Sequence, residues 1–174
     1  MITPRKEVPD FAVTLMDGTT WRLSEQSPEN FTMIVVYRGY HCPLCKMYLG
    51  KLAKLLDGLK ERGVNVLVTS SDTQERATMA MEEWDIASLP MSYGLTIEDA
   101  RKLGLFVSNG IGVTSTGVQE PDIFAEPGLL MVRPDQTLYF ADIQTMPFLR
   151  PDLSGLLANL DFIVSKGYPA RGEA

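Results

Sequence analysis

Residues 32–45 read TMIVVYRGYHCPLC, and this stretch determines how the neighbouring segments can fold. Its first half, residues 32–37, is apolar and rich in β-branched side chains on both faces, a pattern typical of a central strand covered by helices. Cys42 follows shortly after and directly precedes Pro43, and proline suits the first position of a helix. We therefore predict a strand-to-helix junction with Cys42 as the N-cap of the helix.

Two more elements are predicted downstream of this junction. Leucines recur at helical spacing as far as Gly63, a typical helix stop, and residues 64–69 are apolar enough for a second buried strand. Asp72 with Glu75 then resembles the capping pair of a second helix that ends near Trp84. The order is strand, helix, strand, helix.

The flanking segments predict a mixed sheet in a single domain, residues 1–174. They are an N-terminal hairpin (11–15 and 19–23), an edge strand (89–95), a short helix from Thr96 to Gly104, a long irregular loop (107–125), a second hairpin (128–132 and 138–141), a final helix (153–164) and a loosely ordered tail after Gly167. Strands alternating with helices and followed by a hairpin indicate an α/β fold: a central mixed β-sheet flanked by helices.

Composition restricts the partners and the compartment. The formal charge of −6 and the pI near 4.8 argue against nucleic acid or an anionic membrane as a partner, since both are polyanions. No apolar run approaches the roughly 20 residues that span a bilayer. The N-terminus lacks the long apolar segment of a secretory signal, so we expect a cytoplasmic protein with reduced thiols.

The two cysteines, Cys42 and Cys45, are the strongest chemical signal, and we call them the dithiol. Free N–H groups and the positive end of a helix dipole stabilise a thiolate at the N-cap, which predicts a reactive Cys42 with Cys45 as its resolving thiol. Half of a zinc site and two inert buried thiols are the alternatives. A structural zinc takes four ligands, and the chain offers two thiols and one imidazole, so we predict no metal or other cofactor.

His41 and Arg38 are the candidate charged groups beside the dithiol. A protonated His41 could lower the pKa of its neighbour Cys42 or donate a hydrogen bond to the thiolate, whereas a purely steric role at the rim of the site is the alternative. Arg38 carries a permanent charge that could hold a thiolate or polarise a peroxide oxygen; a surface salt bridge is its alternative.

Residues 36–46, VYRGYHCPLCK, resemble the active-site segment of peroxiredoxin-like proteins, the alkyl hydroperoxide reductase/thiol-specific antioxidant (AhpC/TSA) group of the thioredoxin superfamily. Residues 89–93, LPMSY, with the short helix after them, resemble that group's strand and helix after the second strand-helix unit. Residues 126–132, EPGLLMV, resemble its late strand. The resemblance extends over roughly residues 8–165 and implies a thioredoxin-like fold.

The resemblance also implies an activity and partners. It implies an antioxidant oxidoreductase acting on peroxide or disulfide substrates, a thiol reductant such as thioredoxin or glutathione, and the dimeric assembly that is common in the group. Pro127 would be the proline that thioredoxins hold in cis opposite the dithiol, the alternative being an ordinary loop proline. Tyr37 and Gly39 would join Pro127 as substrate-binding residues.

The chain departs from the group's usual motif, which has a proline seven and a threonine three residues before the peroxidatic cysteine. Counted from Cys45, those positions are Arg38 and Cys42; counted from Cys42, they are Val35 and Gly39. The group also has an arginine near the late strand, where this chain has Pro127.

Three functions remain open at this point. The first is a thiol-dependent peroxidase in which a sulfenic acid is resolved into a Cys42–Cys45 disulfide. The second is a protein disulfide reductase, in which Cys42 attacks a substrate disulfide. The third is a non-enzymatic redox sensor whose loop 107–125 responds to disulfide formation.

Overall fold

The computed structural model describes residues 2–174, which form nine strands and four α-helices. The strands are β1 (Ala12–Leu15), β2 (Thr20–Arg22), β3 (Phe31–Val36), β4 (Val64–Thr69), β5 (Ser92–Tyr93), β6 (Val107–Asn109), β7 (Ile123–Ala125), β8 (Gly128–Val132) and β9 (Leu138–Ile143). The helices are α1 (Pro43–Glu61), α2 (Gln74–Glu83), α3 (Ile97–Lys102) and α4 (Leu153–Ser165).

The central sheet has the order β4-β3-β8-β9 and is mixed, as the sequence predicts. Strand β3 runs parallel to β4 and antiparallel to β8. Its last residue, Val36, pairs with Thr69 at the end of β4 and with Gly128 at the start of β8. The dithiol segment therefore leaves the sheet beside the beginning of β8.

Strand β3 is buried on both faces because its alternate side chains enter two different hydrophobic clusters. Met33 and Val35 pack with the buried faces of α1 and α4, whereas Ile34 and Val36 pack with α3 and the N-terminal segment. Helix α1 places four leucines against the first cluster: Leu49, Leu52, Leu56 and Leu59. Full burial of each leucine side chain contributes about 1.5–3 kcal/mol, so this packing fixes the direction of α1 from the dithiol onward.

The start of α2 differs from its prediction. Thr73, and not Asp72, is the N-cap, and its hydroxyl accepts a hydrogen bond from the Arg76 N–H. Asp72 is instead buried, where it accepts a hydrogen bond from the Tyr40 N–H at 2.7 Å and pairs with Arg76 at 2.9 Å. Asp72 therefore fixes the turn before the dithiol.

The prediction of an irregular loop over residues 107–125 is wrong, because this segment contains a β-hairpin. Strands β6 and β7 pair antiparallel, with Val107 opposite Ala125, and the chain between them contains one further antiparallel bridge, Val113 with Gln119. We call residues 107–125 the arm. The two strands are only three residues long each, too short to give a periodic pattern among the glycines and polar residues of this segment.

Two other predictions are wrong in detail. The edge strand expected over residues 89–95 is reduced to β5, which pairs with β1 in a second sheet of order β2-β1-β5. The tail is docked and not loose: Ala170 is buried, and its carbonyl accepts two hydrogen bonds from the Arg5 guanidinium. Within residues 2–174, no helix is long and apolar enough to cross a membrane.

Gly39 is the position where the backbone before the dithiol tolerates no side chain. It adopts φ +135°, and an added Cβ would lie 2.8 Å from both carboxylate oxygens of Asp72. We expect Gly39→Ala to lower the free energy of unfolding by about 2 kcal/mol or more, measured by urea denaturation.

Gly50→Ala is the matched control, because Gly50 lies in α1 and an added Cβ there has nothing within 4 Å. Removing a glycine from a helix interior should raise stability by up to about 1 kcal/mol. Similar effects of the two substitutions would contradict this account of Gly39.

Candidate active site

The dithiol lies at the N-terminus of α1, where the sequence predicts it. Cys42 is the N-cap, Pro43 opens the helix, and the Cys42 sulfur accepts a hydrogen bond from the Cys45 N–H at 3.3 Å. The Cys45 thiol donates to the same sulfur at an Sγ–Sγ distance of 2.8 Å. Both cysteines are free thiols and only 1 % exposed.

The two thiols differ in acidity. The hydrogen bond from the Cys45 thiol lowers the pKa of Cys42 to about 6, helped by the Cys45 N–H, Arg38 and Arg150 and opposed by burial. Burial, followed by the neighbouring Cys42, raises the pKa of Cys45 well above its usual value. At neutral pH the pair is therefore a Cys42 thiolate held by a Cys45 thiol.

Arg150 is a member of the site that the sequence analysis missed. It lies after β9, and its Nη2 is 3.5 Å from the Cys45 sulfur. Its Nη1 donates to three carbonyl groups of its own loop, those of Met146, Pro147 and Leu149. The loop before α4 thus holds a permanent positive charge beside the dithiol, and no local motif in the sequence indicates it.

Arg38 lies in a buried ion-pair cluster and not in a surface salt bridge. Its Nε is 3.0 Å from Glu126 and its Nη2 is 3.6 Å from Glu120, and all three side chains are less than 15 % exposed. The guanidinium also lies over the Phe124 ring, 4.8 Å from its centroid. Arg38 is among the groups that lower the pKa of Cys42.

His41 is fully buried and turned towards the arm. Its ring packs against Phe124 with the centroids 4.7 Å apart, and its nitrogens face Arg76 at 3.5 Å and Glu120 at 3.9 Å. Burial, followed by the charge of Arg38, lowers the pKa of His41 to about 4. The imidazole is therefore neutral at pH 7 and cannot act as the cation considered from the sequence.

Tyr37 and Gly39 lie in the segment that connects the end of β3 to the dithiol. Tyr37 belongs to the same buried cluster as both cysteines and meets Trp84 edge to face. Burial, followed by the charge of Asp72, raises the pKa of Tyr37 above its usual range, so it stays a neutral phenol. Gly39 approaches the Asp72 carboxylate so closely that only glycine fits.

Pro127 is the clearest correction at the site. Residues 2–174 contain no cis peptide bond, so the expected cis-proline is wrong. Pro127 directly precedes β8, and its carbonyl accepts a hydrogen bond from the Gln144 N–H at 2.9 Å. Together with Tyr48 and Arg150 it lines a small cavity.

A groove of about 640 Å³ runs along α1 beside Arg150. Met47 and Phe148 lie on its walls and are 62 % and 74 % exposed, and Lys51 and Lys54 lie along it. A larger cavity of about 830 Å³ lies between β9, α4 and the tail, but its lining includes neither cysteine nor Arg150. Within the described part of the chain, no three His, Cys, Asp or Glu side chains are placed to hold a metal ion.

A thiolate at a helix N-terminus, a neighbouring thiol and a mixed sheet of this order define a thiol oxidoreductase with a thioredoxin-like fold. The family model of the AhpC/TSA family matches residues 4–141. The chain belongs to the AhpC/TSA family.

Solved structures show the same fold. Peroxiredoxin 6 of Arenicola marina is 20% identical with a TM-score of 0.77, covering 97% of this chain and 76% of that one. Peroxidoxin BcpB of Mycobacterium tuberculosis is 17% identical with a TM-score of 0.71, covering 94% and 99%. Prx3 of Vibrio vulnificus, solved in complex with hydrogen peroxide, is 14% identical with a TM-score of 0.71, covering 92% and 99%. A comparison with curated proteins gives no significant match.

These findings confirm the resemblance, the fold class and the enzyme class expected from the sequence: the chain is an oxidoreductase of the thiol-dependent peroxidase type. The roles of the individual site residues stay predictions. Arg150, which follows β9, places an arginine at the dithiol, although Pro127 occupies the late-strand position where the group has its arginine.

The charge of Arg150 can be tested by substitution. We expect Arg150→Met to raise the pKa of Cys42 by on the order of half a unit, because a positive charge near the thiolate is lost. The measurement is the ultraviolet absorbance of the thiolate as a function of pH.

Arg150→Lys keeps the charge and should restore most of the shift. Arg133→Met is the matched control, since Arg133 lies over Tyr139 on the hairpin of β8 and β9. An unchanged pKa in Arg150→Met would contradict the role given to this residue.

The low pKa of Cys42 also predicts a pH-dependent stability. Folding lowers this pKa from 9.0 to about 6, so between those values the unfolded chain binds more protons at this thiol. The reduced protein should therefore become more stable as pH rises from about 7 to 8.5, by less than about 1.4 kcal/mol per pH unit. The contribution is lost as pH falls through about 6.

Urea denaturation of the reduced protein at several pH values measures this slope. In Cys42→Ser the slope should be smaller, because the titrating thiol is gone. His41 shifts stability in the same direction, mainly below its usual pKa of 6.5, and does so in both proteins, whereas the raised pKa of Cys45 opposes the trend as pH approaches 9. Equal slopes in the two proteins would contradict the assignment of Cys42 as the thiolate.

Proposed function

We propose that the chain reduces hydroperoxides by cycling the dithiol between two thiols and a Cys42–Cys45 disulfide, with Cys42 as the nucleophile. The observation that carries the proposal is the pair itself. Cys42 is the acidic thiol, with a pKa of about 6, and its sulfur lies 2.8 Å from the only other cysteine. This supports a nucleophile and a resolving thiol in one site.

In the first step the Cys42 thiolate attacks one oxygen of the peroxide. A sulfur–oxygen bond forms, the O–O bond breaks, and Cys42 becomes a sulfenic acid. The leaving oxygen departs as alkoxide or hydroxide and takes a proton from solvent to give an alcohol or water. Sulfur is oxidised by two electrons and the peroxide is reduced by two.

In the second step Cys45 resolves the sulfenic acid. Its sulfur attacks the Cys42 sulfur, the sulfur–oxygen bond breaks, and water leaves with the thiol proton of Cys45. The Cys45 thiol has a raised pKa, and Arg150 at 3.5 Å supplies the positive charge that favours its ionisation during the attack. A disulfide and one water molecule are the products.

A thiol reductant must then return the disulfide to the dithiol: two thiols, both from one thioredoxin or one from each of two glutathione molecules, are oxidised to a disulfide. We assign this step to thioredoxin or glutathione, acting in the cytoplasm, and the groove beside Arg150 is where such a reductant would approach α1. A homodimer is the assembly proposed from the resemblance. The disulfide reductase alternative uses the same two sulfurs but has less support, because Pro127 is not the cis-proline it relied on.

The separation of the sulfurs predicts resistance to overoxidation. They are 2.8 Å apart, against about 2.05 Å in a disulfide, so resolution needs little movement. We expect one equivalent of hydrogen peroxide to remove both free thiols of the reduced protein and to leave a disulfide with no sulfinic acid. Thiol titration and intact-mass measurement give both quantities.

Two matched variants separate the roles of the cysteines. Cys45→Ser should stop at the sulfenic acid and then accumulate sulfinic acid with excess peroxide, whereas Cys42→Ser should react no faster than a free thiol. Stopped-flow mixing with hydrogen peroxide and with an organic hydroperoxide gives the rates. A wild-type rate no better than that of free cysteine would overturn the peroxidase proposal, and full activity in Cys42→Ser would reverse the roles.

A further inference from the structure

Arg38 pairs with two carboxylates that both come from the region of the arm, and within residues 2–174 neither carboxylate has another arginine or lysine in ion-pair distance; the neighbouring Arg76 is paired with Asp72. Glu120 lies in the loop between β6 and β7, and Glu126 directly follows β7. Both carboxylates approach the guanidinium within 3.6 Å and are at most 5 % exposed. Because His41 is neutral, the carboxylates outnumber the positive charge of Arg38, and this excess lies next to a site that must hold a thiolate.

The two carboxylates are fixed to the arm by its own donors. The Ile111 N–H donates to Glu120 at 2.8 Å, and the Ser108 hydroxyl donates to Glu126 at 2.7 Å. Phe124 of β7 packs under Arg38 and against the His41 ring. A movement of the arm would therefore also move the carboxylates that pair with Arg38.

We propose that Glu120 is a positioning residue that couples the arm to the dithiol: its carboxylate, fixed to the arm, pairs with Arg38 and offsets part of the positive charge that reaches the Cys42 thiolate, while Glu126 and Phe124 keep Arg38 in place. This inference rests on the proposed function only in taking Cys42 as the nucleophile. The other groups that act on Cys42 are Cys45 on the same helix and Arg150 after β9, and neither contacts Glu120. Glu120 thus acts on the thiolate through its pairing with Arg38, and its other neighbour near the dithiol, His41 at 3.9 Å, is neutral.

The coupling must act in both directions, since linkage between two sites is reciprocal. If Glu120 opposes ionisation of Cys42, then the Cys42 thiolate opposes the seating of Glu120. Formation of the disulfide removes the negative charge from Cys42. Arg38 then pairs only with the carboxylates of Glu120 and Glu126, and its attraction to them is no longer shared with the thiolate. The arm is held more tightly in the oxidised protein than in the reduced one.

The first experiment is a thiolate titration by absorbance in Glu120→Gln. Glutamine preserves the shape and the acceptor for Ile111 but removes the negative charge, so the pKa of Cys42 should fall by on the order of half a unit. Glu120→Asp, which keeps the charge, should stay near the wild-type value. A rise or no change in Glu120→Gln overturns the proposal, because a purely structural residue would release Arg38 or leave the thiol unaffected.

Glu98→Gln is the matched control. Glu98 forms an exposed ion pair with Lys102 on α3, at 2.8 Å, and its loss should not move the titration. If Glu120→Gln does not fold, Glu126→Gln tests the same argument from the second carboxylate on Arg38, with the same expected direction.

The second experiment uses the unaltered protein. Amide hydrogen exchange at Ile111, which donates to Glu120, is followed at about pH 8 in the reduced protein and in protein oxidised to the disulfide with diamide, a general thiol oxidant. Exchange should be several-fold slower in the oxidised form, and equal or faster exchange overturns the proposal. Neither experiment needs peroxide, so a failure of the peroxidase proposal would be seen separately.

Discussion

The Cys42 sulfur accepts two hydrogen bonds from one residue, from the N–H and from the thiol of Cys45. This arrangement exists because a strand ends and a helix begins within a few residues, with Pro43 opening the first turn. The N-terminal N–H groups of a helix need acceptors, and here a sulfur supplies one. The hydrogen bond from the Cys45 N–H to the Cys42 sulfur therefore both caps the helix and stabilises the thiolate.

Two arginines surround this contact and act differently. Arg38 is buried with two carboxylates, so much of its charge is offset locally, whereas Arg150 is held by neutral carbonyl groups and forms no ion pair among the described residues. The chain as a whole carries a formal charge of −6, so the positive field at the dithiol is a local feature. Burial alone would raise the pKa of Cys42, and the hydrogen bonds and arginines together outweigh it.

The sequence predicts the parts of this site that depend on near neighbours. The apolar run of β3, the leucine spacing of α1 and the pair Cys42-Pro43 are local signals, and the structure agrees with each of them. Arg150 lies 105 residues from Cys45 in the chain, and Glu120 reaches Arg38 only because β6 and β7 pair. Such contacts depend on topology and leave no periodic pattern. Asp72 is a residue type that often caps helices, but its side chain forms a buried ion pair with Arg76, and Thr73 caps α2 instead.

The short distance between the two sulfurs has a consequence for turnover. Because the couple closes with so little displacement, the oxidised and reduced forms present nearly the same outer surface along α1. A reductant that recognises this surface by shape binds the product of its own reaction about as well as the substrate. We expect release of the product to depend on what does change: the single negative charge that returns to Cys42 when the disulfide is reduced, and the hold of Arg38 on the arm.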